Sequence, residues 1–106
     1  SLTNLKRLIL FTTPIHDAGL EHLSVLTNLD DLDLEGTEVT DEGMQHLKGL
    51  EKLEKLNLKG TQVTDVTIDT LIGMKSLKIL ILSNSAVTEA GVKTLREARP
   101  ELDVTP

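Results

Sequence analysis

The chain has 106 residues, 39% of them hydrophobic and 26% charged, which is one domain's length and too apolar a composition for a disordered chain. A formal charge of −6 argues against a phosphate-backbone binder and against docking on anionic lipid, since both need a basic surface. The absence of cysteine excludes disulfides, thiolate metal sites and thiol catalysis, and leaves the cellular compartment open.

Phe11 is the single aromatic residue, so the core must be built from aliphatic side chains, mostly leucine. No apolar run approaches the roughly 20 residues that a membrane span needs. Nothing at Ser1 resembles a signal peptide.

The first unit begins at Leu5, where "LxxLxL" places Leu8 and Leu10 on one face of a short strand. That strand is expected to include Ile9 and Phe11. Thr13 and Ile15 follow, then "GLEHL" puts Leu20 and Leu23 on one stripe of a short helix. His16, beside Asp17, stands where a helix cap belongs and reads as a weak one. The same order returns from Leu29: Leu32 and Leu34, Thr37, Val39, Met44 and Leu47. It returns again from Leu53, with Leu56, Leu58, Thr61, Val63, Ile68 and Leu71, and from Leu77, with Leu80, Leu82, Ser85, Val87, Val92 and Leu95. The interval is 24 residues each time, so residues 1–106 read as one domain of four units, a number that suffices for a stacked array.

Between strand and helix the chain writes "GTEVTD" at 36–41 and "GTQVTD" at 60–65. Such a phrase is either a duplicated reactive site or the punctuation of a scaffold. Helix chemistry favours the second. Thr37 and Thr61 are expected to turn inward and bond backbone carbonyls at the strand exit. Thr40, Thr64 and Thr88 read as helix N-caps, with Asp41, Asp65 and Glu89 complementing the helix dipole. Gly49 and Gly73 read as left-handed C-caps. At the C-terminus, "LREARPELDVTP" lacks that glycine, inserts one residue relative to the register, and offers Leu102 and Val104 as a truncated capping strand.

These residues resemble the leucine-rich repeat family over essentially the whole chain. "VTDxG" is similar to the branch containing bacterial repeat proteins, ribonuclease inhibitor and F-box adaptors. The adaptor form, however, carries Cys or Asn in the column held here by Thr13, Thr37, Thr61 and Ser85, and no F-box is present. The resemblance implies a right-handed α/β solenoid with a parallel sheet on the concave face and short helices on the convex face.

Outward strand positions line up in columns: Arg7, Asp31, Lys55, Ile79; then Ile9, Asp33, Asn57, Ile81; then Phe11, Glu35, Lys59, Ser83. Strands about 4.8 Å apart allow Arg7–Asp31–Lys55 and Glu35–Lys59 to pair across the face. The result is either a charge-matched ladder or a recognition surface with a polar middle and apolar ends, and exposed isoleucine and phenylalanine ask for a reason. Carboxylates on one strand face stand about 6.6 Å apart, too wide to share one calcium ion. His22 and His46 share a column on neighbouring helices without a third ligand, which reads as solvated surface. No catalytic or cofactor motif occurs, so neither an enzyme, a cofactor nor a metal is expected.

The expected function is a protein-interaction module that binds a protein or peptide on its concave sheet. The alternative is a structural spacer or assembly domain within a larger protein. Nucleic acid and membrane are not expected partners. Leu2, Leu5 and Leu20 are expected to lack a covering neighbour, so the chain either continues upstream or self-associates through its first unit.

Overall fold

A computed structural model describes residues 4–106. Each alternating leucine run forms a three-residue strand: β1 (Arg7–Ile9), β2 (Asp31–Asp33), β3 (Lys55–Asn57), β4 (Ile79–Ile81) and β5 (Asp103–Thr105). The five strands form one parallel sheet in chain order. Pairing runs Leu8↔Leu32↔Leu56↔Leu80↔Val104, each partner 24 positions further on. Because side chains alternate across a strand, that register turns one apolar row inward and the flanking residues outward.

The returns are short helices: α1 (Asp17–Leu23), α2 (Asp41–Met44) continued by a 3-10 turn over Gln45–Leu47, α3 (Ile68–Gly73) preceded by a 3-10 turn over Asp65–Thr67, and α4 (Glu89–Ala98). Leu32, Leu56 and Leu80 of the strands, Leu34 and Leu58 just beyond them, and Leu20, Met44, Leu47, Leu71 and Leu95 of the helical returns share one aliphatic core. The fold is an α/β solenoid.

In the first unit Leu5, Leu8, Leu10 and Leu23 are only partly buried, whereas Leu32, Leu34 and Leu47 are fully enclosed. Leu20 departs from expectation. It is fully buried, because α1 packs along α2 and covers it from the other side. Leu2 lies outside the described residues.

The left-handed positions are not Gly49 and Gly73. Among the described residues, positive φ occurs at Thr12 (53°), Gly36 (70°), Gly60 (71°) and Asn84 (58°), one column directly after the strands. There the chain turns away while its N–H stays on the neighbouring strand, as with Gly36 N to Lys59 O at 2.8 Å and Gly60 N to Ser83 O at 2.9 Å. Glycine takes that conformation without the Cβ clash that other residues meet. The helices close without it, through bonds three residues back such as Leu50 N to Leu47 O and Met74 N to Leu71 O.

At the C-terminus the expected one-residue insertion is absent from the sheet. Ile79↔Asp103 and Leu80↔Val104 keep the register, and Leu102 and Val104 are buried. The extra residue, which puts Leu102 one place later than Leu77 in the repeat, is offset by one residue fewer between Leu102 and β5 than between Leu77 and β4, and the ten-residue α4 ends at buried Arg99. Its guanidinium donates to Met74 O and Leu77 O at 3.0 Å each, with longer bonds to Ile72 O and Lys75 O, and its Nε pairs with Glu101. A helix end leaves carbonyls without intrahelical partners. Arg99 reaches back one unit to fill that need at the end of α3.

Candidate functional site

The repeated phrase is a clamp between units. Thr37 and Thr61 turn inward, each hydroxyl donating to the carbonyl three residues back (Leu34 and Leu58, 2.7 Å), and both side chains are buried. Thr61→Val keeps the shape and loses that bond, so thermal or urea unfolding should show a loss of about 1–3 kcal/mol.

Thr40 begins α2 but makes no side-chain cap bond, and neither does His16 at the start of α1. Thr64 and Thr88 do cap, accepting from Val66 N and Gly91 N at 3.2 Å. The aspartates do more than complement a dipole. Asp17 accepts from Thr40 N at 2.8 Å and from the Thr40 hydroxyl; Asp41 repeats this with Thr64 and Asp65 with Thr88. Each carboxylate therefore grips the next unit. A Cβ on Gly43 or Gly91 would overlap Oδ1 of Asp17 or Asp65 respectively, which explains the glycine two residues after the acidic position. Thr67 holds that place in the third unit, and its hydroxyl donates to Asp41 instead.

Burial by itself raises the Asp41 pKa, but hydrogen bonds from the Thr64 hydroxyl, the Thr64 backbone and Thr67 outweigh it and hold the carboxyl below its ordinary value of 3.8. Asp65 is lowered chiefly by the Thr88 hydroxyl. A depressed native carboxylate stabilises the fold above the unfolded value, and that contribution is lost as pH falls through the native one. Stability should therefore decline as pH drops below about 4. In acid titrations of urea unfolding, Asp41→Asn should flatten that decline.

On the sheet face, register places the expected columns side by side and adds Asp103 and Thr105 from β5, which residue spacing alone had not joined to them. Arg7 Nε meets Asp31 Oδ2 at 3.2 Å, as expected. The other expected pairs do not form: among the described residues Lys55 and Lys59 make no ion pair within 4.0 Å. Asp33 and Asn57 have local duties instead. Asp33 Oδ1 accepts from Glu35 N at 2.9 Å and Asn57 Oδ1 from Lys59 N at 3.0 Å, side-chain turns that shape the strand exits. Asn57 Nδ2 also approaches Glu35 Oε1 at 3.4 Å.

The apolar ends stand open, with Ile9 54%, Phe11 51% and Ile79 40% exposed, and Ile81 is partly buried. On the helix side His22 is exposed and His46 partly buried. Among the described residues no three acidic or histidine side chains are grouped to hold a metal, and no helix is long and apolar enough to cross a membrane.

Residues 27–87, more than half of the chain, match the family described as leucine rich repeat. The chain belongs to the leucine-rich repeat family. No curated protein matches it. Among solved structures it is similar to an internalin from Listeria monocytogenes, at 19% identity and a TM-score of 0.59, covering 97% of this chain and 35% of that one. It is also similar to a leucine-rich repeat protein of Leptospira interrogans, at 17% identity and a TM-score of 0.52, covering 99% of this chain and 38% of that one. This chain thus spans little more than a third of either relative, and the likeness is one of fold. Leucine-rich repeat domains generally mediate protein–protein interaction and are typically not enzymes.

Proposed function

We propose that this domain binds a protein or peptide on the concave face of its sheet, through Arg7, Ile9, Phe11, Asp31, Asp33, Glu35, Lys55, Asn57, Lys59, Ile79 and Ile81. The observation that carries this reading is the combination of exposed Ile9, Phe11 and Ile79 with the ammonium groups of Lys55 and Lys59, which have no ion pair among the described residues. Open apolar side chains beside uncommitted charges supply burial and orientation together, which is the make-up of a contact surface. In this reading Asp33 and Asn57 shape the strand exits, and Asp31, Glu35, Lys55 and Lys59 orient the partner. The four units with β5 form one domain, of the bacterial, ribonuclease-inhibitor-like type.

Pull-down with the parent and with a variant carrying Asp31→Lys, Glu35→Lys and Lys59→Glu tests the reading. The variant should keep its circular dichroism and melting temperature and lose the bound protein. Equal capture by both would leave the spacer reading in place. The exposed β1 edge supports a secondary contact, self-association through the first unit. Sedimentation should then show a concentration-dependent dimer that Phe11→Lys abolishes, and a parent that stays monomeric would reject it.

A further inference from the structure

The sheet face carries an ordered pattern across its strands. Register puts Ile9, Asp33, Asn57 and Ile81 in one row perpendicular to the strands. Beside that row stand Asp31 of β2 with Glu35 just beyond the strand, and Lys55 of β3 with Lys59 just beyond the strand. A partner crossing from β1 to β4 therefore meets apolar, acidic, basic and apolar ground in turn. Parallel strands repeat about every 4.8 Å, so those four grounds lie at about 0, 4.8, 9.6 and 14.4 Å.

An extended peptide turns only every second side chain toward the sheet, at about 0, 6.6 and 13.2 Å, which gives three side chains for four strands. An α-helix rises about 1.5 Å per residue, so positions i, i+3, i+7 and i+10 share one face at about 0, 4.5, 10.5 and 15 Å. The four helical positions fall within about 1 Å of the four strands. Charge complementarity then assigns the side chains.

We infer that the occupant of this face is an amphipathic helix lying across the strands, with apolar residues at i and i+10 over β1 and β4 and, at i+3 and i+7, one cation over β2 and one anion over β3. The inference rests on the concave-face reading above and adds the partner's conformation and charge pattern. The cation meets the β2 carboxylates, where only Asp31 already has a cationic partner among the described residues, and the anion meets Lys55 and Lys59. The apolar positions cover Ile9 and Phe11 at one end and Ile79 and Ile81 at the other.

The test uses a stapled helical peptide of about fifteen residues, because shorter or unconstrained helices are marginal in water. It carries Leu, Lys, Glu and Leu at the four positions and is titrated by fluorescence anisotropy against this chain. The same peptide with Glu at both charged positions should bind about tenfold more weakly, because whichever way it lies a like charge then faces the β2 carboxylates. A chain carrying Asp31→Lys and Glu35→Lys, which turns the β2 ground basic, should reverse that preference, provided its circular dichroism is unchanged.

Equal binding of the two peptides, or a preference that the double variant does not reverse, overturns the inference. Binding of an extended peptide with Leu at i and i+4, in place of the helix and lost in the variant, overturns the helix while the concave-face reading stands. If neither peptide binds, the helix is likewise rejected, and the pull-down with the triple variant judges the face independently.

Discussion

Arg99→Met should lower the unfolding free energy by about 2–4 kcal/mol, since it leaves the buried Leu77 carbonyl without its donor at about 1–3 kcal/mol and strips from Met74 O a charged bond beside the one it keeps from Leu77 N. For a domain of this size that corresponds to a fall in melting temperature of about 10 °C or more. Methionine fills much of the same space, so the loss reports hydrogen bonding more than packing. Arg99→Lys should recover only part of it, because an ammonium cannot present the planar fork that reaches Met74 O, Leu77 O and their neighbours together. Glu101→Ala should change the melting temperature little, as Glu101 is 63% exposed. A methionine variant that melts with the parent would show that the end of α3 does not depend on this side chain.

Leu56→Ala should cost about 2–5 kcal/mol, against a total stability of about 5–15 kcal/mol for a domain. Leu56 has no exposed surface, lies on the middle strand, and is flanked in register by Leu32 and Leu80. Its neighbours are held by the sheet on both sides and cannot collapse into the vacated space, which favours the upper half of that range. Leu8→Ala is the internal comparison. Leu8 stands in the same column but is only partly buried, so the same change should cost distinctly less in urea unfolding. Equal losses would mean that the first unit is as tightly closed as the third.

Both expectations rest on features of different legibility. The strand column was readable from spacing, because apolar residues at a period of two followed by a period of three admit one stacking register, and every strand pair keeps it. The inward threonines were readable for the same reason: a hydroxyl three residues beyond a buried leucine has that leucine's carbonyl within reach. The outward columns were legible as columns. Their pairing was not, because side-chain turns and long flexible lysines choose among several acceptors. Asp33 and Asn57 spend their oxygens on the strand exits, and Lys55 and Lys59 stay without an ion pair among the described residues.

The sequence by itself determined the repeat, the face each leucine takes, and the aliphatic make-up of the core, since all three follow from local periodicity. Only the tertiary structure decided what joins one unit to the next. The carboxylates of Asp17, Asp41 and Asp65 bind threonines 23 residues away, and Arg99 binds carbonyls 22–27 residues away. Residue spacing marks both ends of such a contact but not the direction in which a side chain turns. A carboxylate beside a helix start has two uses, its own helix or the next one. The Asp17 and Asp65 oxygens that fill the space above Gly43 and Gly91, brought there only once two units are stacked, select the second.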